Sequence, residues 1–236
     1  MMINLLRNLF CSSLGKKYVM AATGGVMLLF VIGHLLGNLQ VFIGPEQINA
    51  YGHFLQSNLE IIWPARIVLL GCVALHIWAA AGLTRENLAA RPVDYAAWEP
   101  TAASYASRTM VWSGVIVAVF IVYHLLHYTV MVQAGSLGLT GRELAGLMDQ
   151  HAPPRHDIYT MMIRGFSNPA VSLFYMAGVG LLCLHLSHGA SAMWQSLGWK
   201  KKSYAPWLDA MARWGSLAIF LGYVAIPLAV LLKVIP

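Results

Sequence analysis

Six of the nine histidines in this chain of 236 residues lie in stretches almost free of charge. They are His34, His76, His124, His127, His185 and His188. An imidazole has to be hydrogen-bonded, protonated or bound to a metal, and hydrocarbon provides none of these. A lone histidine in such a setting is most simply a hydrogen bond between helices. One in each of four successive apolar segments points instead to ligation, because metal and haem sites in helical bundles are built from side chains on facing helices.

Those segments must be membrane spans. Hydrophobic residues make up 58% of the chain and charged residues 10%, well below the charged share of soluble domains. Apolar runs of 18 residues or more have the length that crosses a bilayer. Hydropathy gives five: Val19–Phe42, Ile62–Leu83, Met110–Gln133, Pro169–Ala192 and Arg213–Val234. The expected fold is an all-α integral membrane protein, a five-helix bundle forming a single domain over residues 1–236, with Pro227 kinking the last helix. The first run is too long for a signal peptide and lacks a small-residue cleavage site. The net charge of +6 is not a nucleic-acid signature, because the basic residues flank the spans. Arg7, Lys16, Lys17, Arg85, Arg91, Arg108 and Lys200–Lys202 fall on one side, whereas the first connection on the other side carries Glu46 and Glu60 and no Lys or Arg. The positive-inside rule then puts the N-terminus in the cytoplasm and the C-terminus outside. The connection 44–58 has room for a short interfacial helix, and residues 134–168, with Pro153-Pro154, are expected to cover the outer face with His151 and His156 exposed to solvent.

Depth sorts the histidines. His34 follows Lys17 by 17 positions and His124 follows Arg108 by 16, so at about 1.5 Å per residue they reach nearly one height in outward-running spans. In the inward-running spans His76 precedes Arg85 by nine, and His185 or His188 precedes Lys200 by fifteen or twelve. The first and third spans thus share an outer level, the second and fourth an inner one. Two imidazoles facing each other suit a six-coordinate b-type haem, an electron carrier with no open position for oxygen. Zinc, which prefers four close ligands in a tetrahedron, fits two separate levels poorly. Cys11, Cys72 and Cys183 form no C-x-x-C, which excludes a thiolate zinc or iron–sulfur site and covalent haem in this chain. Gly33, Gly37, Gly178 and Gly180 would let a flat macrocycle approach the backbone, although for each alone ordinary small-residue packing is the simpler account.

Two motifs, His124-Leu-Leu-His127 and His185-Leu-Ser-His188, place histidines at i and i+3 on nearly the same helix face. One iron needs one of each. Depth selects His124 and puts His127 near the outer interface, placed to bind a haem propionate, a quinone or water. In the fourth span depth slightly favours His188.

The sequence resembles the cytochrome b558 family, the single-chain dihaem membrane anchors of succinate dehydrogenases and fumarate reductases. The resemblance is carried by GHLLGN at Gly33–Asn38, AYGHFLQS at Ala50–Ser57, ALHIWAAAGL at Ala74–Leu83, SGVIVAVFIVYH at Ser113–His124 and LHLSHGASAMWQSLGW at Leu184–Trp199. It implies axial ligands at His34, His76, His124 and, from the interval to the LGW turn, His185 rather than His188. His34 and His124 would hold the distal haem b, His76 and His185 the proximal one. It further implies a bacterial inner membrane and a subunit with no catalytic dicarboxylate site of its own. A flavoprotein subunit with FAD oxidises succinate, and an iron–sulfur subunit passes electrons to the anchor. The anchor delivers them to a quinone, usually menaquinone in dihaem relatives, in the respiratory chain and tricarboxylic acid cycle. The chain has no G-x-G-x-x-G motif, in keeping with flavin on a partner. The basic N-terminus and Lys200–Lys202 are placed to dock the iron–sulfur subunit or to hold the inner leaflet. His53, Glu60, Arg66 and His127 are candidates for a quinone or proton site, with loop and interface polarity as the plainer account of the first three. The same anchor working as a fumarate reductase, the cytochrome b of a hydrogenase or formate dehydrogenase, and a transporter using the histidines as a proton relay are the competing readings.

Overall fold

The computed structural model describes residues 2–91 and 104–235. Five helices among them are long and apolar enough to cross a membrane. These are α2 (Ser13–Asn38, continued by a 3-10 turn over Leu39–Phe42), α4 (Leu59–Ala89), α6 (Met110–Tyr128), α9 (Pro169–Ser196) and α10 (Ala205–Leu231). The chain is an all-α, multi-pass membrane protein. Short elements precede or connect the spans: α1 (Met2–Cys11) ahead of the first, then α3 (Pro45–Ser57), α5 (Tyr105–Arg108), α7 (Gly141–Ala145) and α8 (Ile158–Phe166) between them. A two-residue antiparallel pairing of β1 (Gln133–Ala134) with β2 (Leu139–Thr140) interrupts the helical pattern. Large apolar side chains such as Leu29, Leu70, Trp112 and Trp214 are about 70% exposed, as a lipid-facing surface requires.

The span ends differ from the hydropathy reading in instructive places. The second helix starts at Leu59 and runs through Pro64, so Glu60, which the hydropathy reading left ahead of the span, sits within it together with Arg66. The third ends at Tyr128, and Gln133, expected at the end of its span, lies in the small strand pair. Hydropathy averages over a window, whereas helix ends are set by capping and by competing contacts.

The contacts divide the chain into two compact units. The first comprises Met1–Val31, Pro64–Val111 and Leu184–Ser216; the second comprises Ile32–Trp63, Trp112–Cys183 and Leu217–Pro236. The first has small packing residues, including Ala21, Ala79 and Ala212, and polar clasps at helix ends. Lys16 pairs with Glu86, which also accepts a hydrogen bond from Ser13 Oγ at 2.7 Å. Helix α9 closes with Gly198 at φ 75° and the Trp199 N–H bonded to the Trp194 carbonyl at 2.9 Å, a left-handed C-terminal cap that glycine adopts without strain. Lys200 Nζ then donates to Asp209 at 2.6 Å and to Ser191 Oγ at 2.9 Å. Of the three-lysine run, Lys201 and Lys202 are exposed while Lys200 is engaged.

In the second unit the connections are built structures. Gly44 at φ 137° turns the chain and Pro45 opens α3, a position where proline loses no hydrogen bond. Asn49, 2% exposed, donates to Asp157 Oδ1 at 3.0 Å and accepts from the Tyr159 N–H at 3.0 Å. Asp157 caps α8 through the Thr160 N–H at 3.0 Å and hydroxyl at 2.6 Å. Gly52 lies so close to Ile158 that a Cβ there would collide with it. Arg155 reaches Asp149 at 2.7 Å and Glu46 at 2.9 Å. His156, expected in solvent, is half-buried, with both ring nitrogens enclosed and without a hydrogen-bond partner among the described residues.

Candidate functional site

Each unit brings two histidines from different helices close together. In the first unit α4 carries His76 in a row with the buried Ala79 and Leu83, and i, i+3, i+7 spacing turns all three to one side. Helix α9 carries His185. The two ring centres are 6.3 Å apart, with ring planes at 60°. His188, one turn further along α9, is within electrostatic reach of Lys200 and Asp209. The ring that faces His76 is thus that of His185.

Behind His76 stands α2. Thr23 is 6% exposed, and its Oγ1 lies 3.1 Å from His76 Nδ1. The Thr23 hydroxyl donates to the Val19 carbonyl at 2.7 Å. At Gly24, a Cβ would meet His76 Cε1 at 3.3 Å. Neither residue belongs to a motif that composition or spacing could flag. A mid-helix threonine that bonds back to the i−4 carbonyl is common, and its contact with His76 spans 53 positions.

In the second unit His34, near the end of α2, faces His124 on α6. Their ring centres are 5.7 Å apart, with planes at 81°. The α6 stripe Ser113, Val117, Phe120, His124 and His127 repeats at helical spacing. It meets an α9 stripe that includes Val171, Ser172, Tyr175, Gly178 and Val179. The His124 ring is enclosed by Phe120, Tyr128 and Tyr175 at 5.8–6.3 Å, and Tyr223 of α10 approaches His34 at 6.3 Å.

His127 departs from its expected place at an interface. It is 0% exposed, accepts from or donates to the Tyr175 hydroxyl through Nδ1 at 3.1 Å, and stacks on Tyr128 at 4.1 Å. Its Nε2 and the Tyr128 hydroxyl are buried without a partner among the described residues. Tyr123 and Tyr128 of α6 and Tyr175 of α9 surround it, and no count along α6 could reveal the contact with α9.

The remaining candidates are peripheral. His53 and Glu60 are exposed in the second unit, His53 bonded locally to Ser57 Oγ at 3.3 Å. Arg66 is exposed in the first unit. Gly37 and Gly178 serve aromatic packing: a Cβ would fall 2.8 Å from Tyr51 at the first and 2.5 Å from Phe120 at the second. Gly180 has an ordinary contact with Phe220, and Gly33 opens onto free space beside His34.

The donor sets fit haem. An imidazole nitrogen binds a first-row metal at about 2.0–2.1 Å, so two rings on opposite sides of one ion have centres roughly 6 Å apart; the pairs here stand at 5.7 and 6.3 Å. Among the described residues no three His, Cys, Asp or Glu side chains gather as a metal site. Two-imidazole sets suit an ion whose other ligands come with the cofactor. His34, His76, His124 and His185 are each partly accessible, whereas His127 is sealed. No family model matches the chain, and neither does any curated protein or solved structure.

Proposed function

We propose that this chain is a dihaem cytochrome b, the membrane-anchor subunit of a succinate:quinone oxidoreductase. In this reading it passes electrons from an iron–sulfur partner subunit to membrane quinone, with menaquinone the expected type. The observation that carries the haem assignment is the pair of facing imidazoles in each unit, every ring from a different helix. His76 and His185 hold one haem b; His34 and His124 hold the other. Bound between two imidazoles, haem b supplies one-electron transfer and leaves no coordination position for oxygen. The assignment to succinate dehydrogenase, with FAD and iron–sulfur clusters on partner chains, rests on the motifs around these histidines, as does a bacterial inner-membrane location with a cytoplasmic N-terminus.

What the chain itself does is hold and orient. Helices α2, α4, α6 and α9 each contribute one ring. Thr23 bonds the rear nitrogen of His76, and the rings of Phe120, Tyr128 and Tyr175 pack around His124. Reduced-minus-oxidised spectra of the purified complex test the reading. His34→Ala and His124→Ala should each remove the same haem, and His76→Ala and His185→Ala the other, while His188→Ala retains both. Both haems surviving any one of the first four changes would refute the assignment. A normal haem spectrum in a complex co-purifying with a metal-containing hydrogenase or formate dehydrogenase would move the chain to that class.

A further inference from the structure

We propose that Thr23 is a positioning residue for the His76 ligand: its hydroxyl fixes the imidazole in the form protonated at Nδ1, which leaves Nε2 free to bind iron. This inference rests on the haem reading above. A hydroxyl has one proton to give. Thr23 places that proton on the Val19 carbonyl at 2.7 Å, with the Met20 carbonyl at 3.3 Å as the weaker alternative. Oγ1 is then an acceptor toward His76 Nδ1 at 3.1 Å, and the ring must supply the proton. With Thr23 buried, no bulk water competes for either group. The neighbouring Gly24 completes the seat, since a side chain there would press on His76 Cε1.

The consequence is chemical as well as geometric. A ligand imidazole that donates its second N–H to an acceptor is a more basic ligand, which favours ferric over ferrous iron. No hydrogen bond reaches the nitrogens of His124 among the described residues, whose neighbours there are rings. The Thr23 bond therefore acts on the His76 side of its pair.

The experiment is a potentiometric titration of the intact complex, followed by visible and ferric low-spin EPR signals, in Thr23→Val and Thr23→Ser. Valine keeps the shape and removes the acceptor; serine keeps the acceptor. The haem that His76→Ala removes should titrate at a higher potential in Thr23→Val with an altered EPR signal, the other haem should be unmoved, and Thr23→Ser should restore both properties. Selective loss of that haem in the valine variant, with recovery in the serine variant, would equally support the inference. Unchanged potentials and EPR signals in Thr23→Val would overturn it, as would a shift that serine does not repair, and neither result would disturb the haem assignment itself. A wild-type complex without haem would instead overturn the earlier reading.

Discussion

The His76–His185 pair and the His34–His124 pair present similar ring spacings in different surroundings. The first is backed by a hydroxyl and a glycine on α2, and its unit is tied at helix ends by Lys16–Glu86 and Lys200–Asp209. The second is set among Phe120, Tyr128, Tyr175 and Tyr223, next to a sealed histidine. The difference teaches that one spacing of paired rings can be held by polar direction or by steric enclosure. A hydrogen bond fixes how a ring is rotated and protonated; a cage of rings fixes only where it can go, and does so through packing that tolerates little change.

Enclosure should therefore be the more fragile of the two. Gly178→Ala would put a methyl 2.5 Å from Phe120, and the forced repacking should destabilise the second unit by about 1–3 kcal/mol. Gly24→Ala, with a 3.3 Å contact, should cost distinctly less. Thermal melts monitored by haem absorbance would show whether the order holds. Next in size is His127→Phe, which strands the Tyr175 hydroxyl and should cost about 1–3 kcal/mol while leaving both haems in place. Adding Tyr175→Phe should recover part of that loss, because replacing both partners of a buried hydrogen bond is cheaper than replacing one. If the haem ligated by His124 is lost in His127→Phe, the roles of the two α6 histidines are not separate.

The division between what could be read and what could not follows the same line. Span number was legible because bilayer crossing demands long apolar runs, and the depth count puts His34 level with His124, whose rings lie 5.7 Å apart. Depth alone leaned toward His188 over His185, since a count along one helix carries no azimuth. Thr23, Tyr175 and Gly24 were silent because their partners lie 48 to 53 residues away. The α3–α8 clasp was hidden for a related reason. Asn49, Arg155 and Asp157 read as loop polarity until folding brings them together.

That clasp gives a smaller effect, with a defined sign. Asp157 lies below the usual carboxylate range: burial pushes it up, but the Thr160 hydroxyl and N–H and the Asn49 amide outweigh this. Glu46 is lowered chiefly by the Arg155 guanidinium. Burial lowers His156. All three bind protons more weakly folded than unfolded, so each stabilises at high pH and loses that contribution as pH falls. The loss from His156 begins below its ordinary value of 6.5, and the carboxylates add theirs below about 4. Hydrogen exchange over α3 and α8 should accelerate in those two stages. Asp157→Ala should shrink the lower stage to the part due to Glu46 and cost about 0.5–2 kcal/mol as a lost helix cap. The smallest effect belongs to Glu86→Gln in the first unit. It weakens a partly exposed ion pair, and pairs of that kind contribute little; the melting temperature should stay within error.

The most direct measurement is the ratio of haem b to this chain in the purified wild-type complex, by pyridine haemochrome absorbance against quantitative protein analysis. Imidazole pairs acting as two independent ligand sets predict two haems per chain, and a fully assembled complex carrying none would contradict the account.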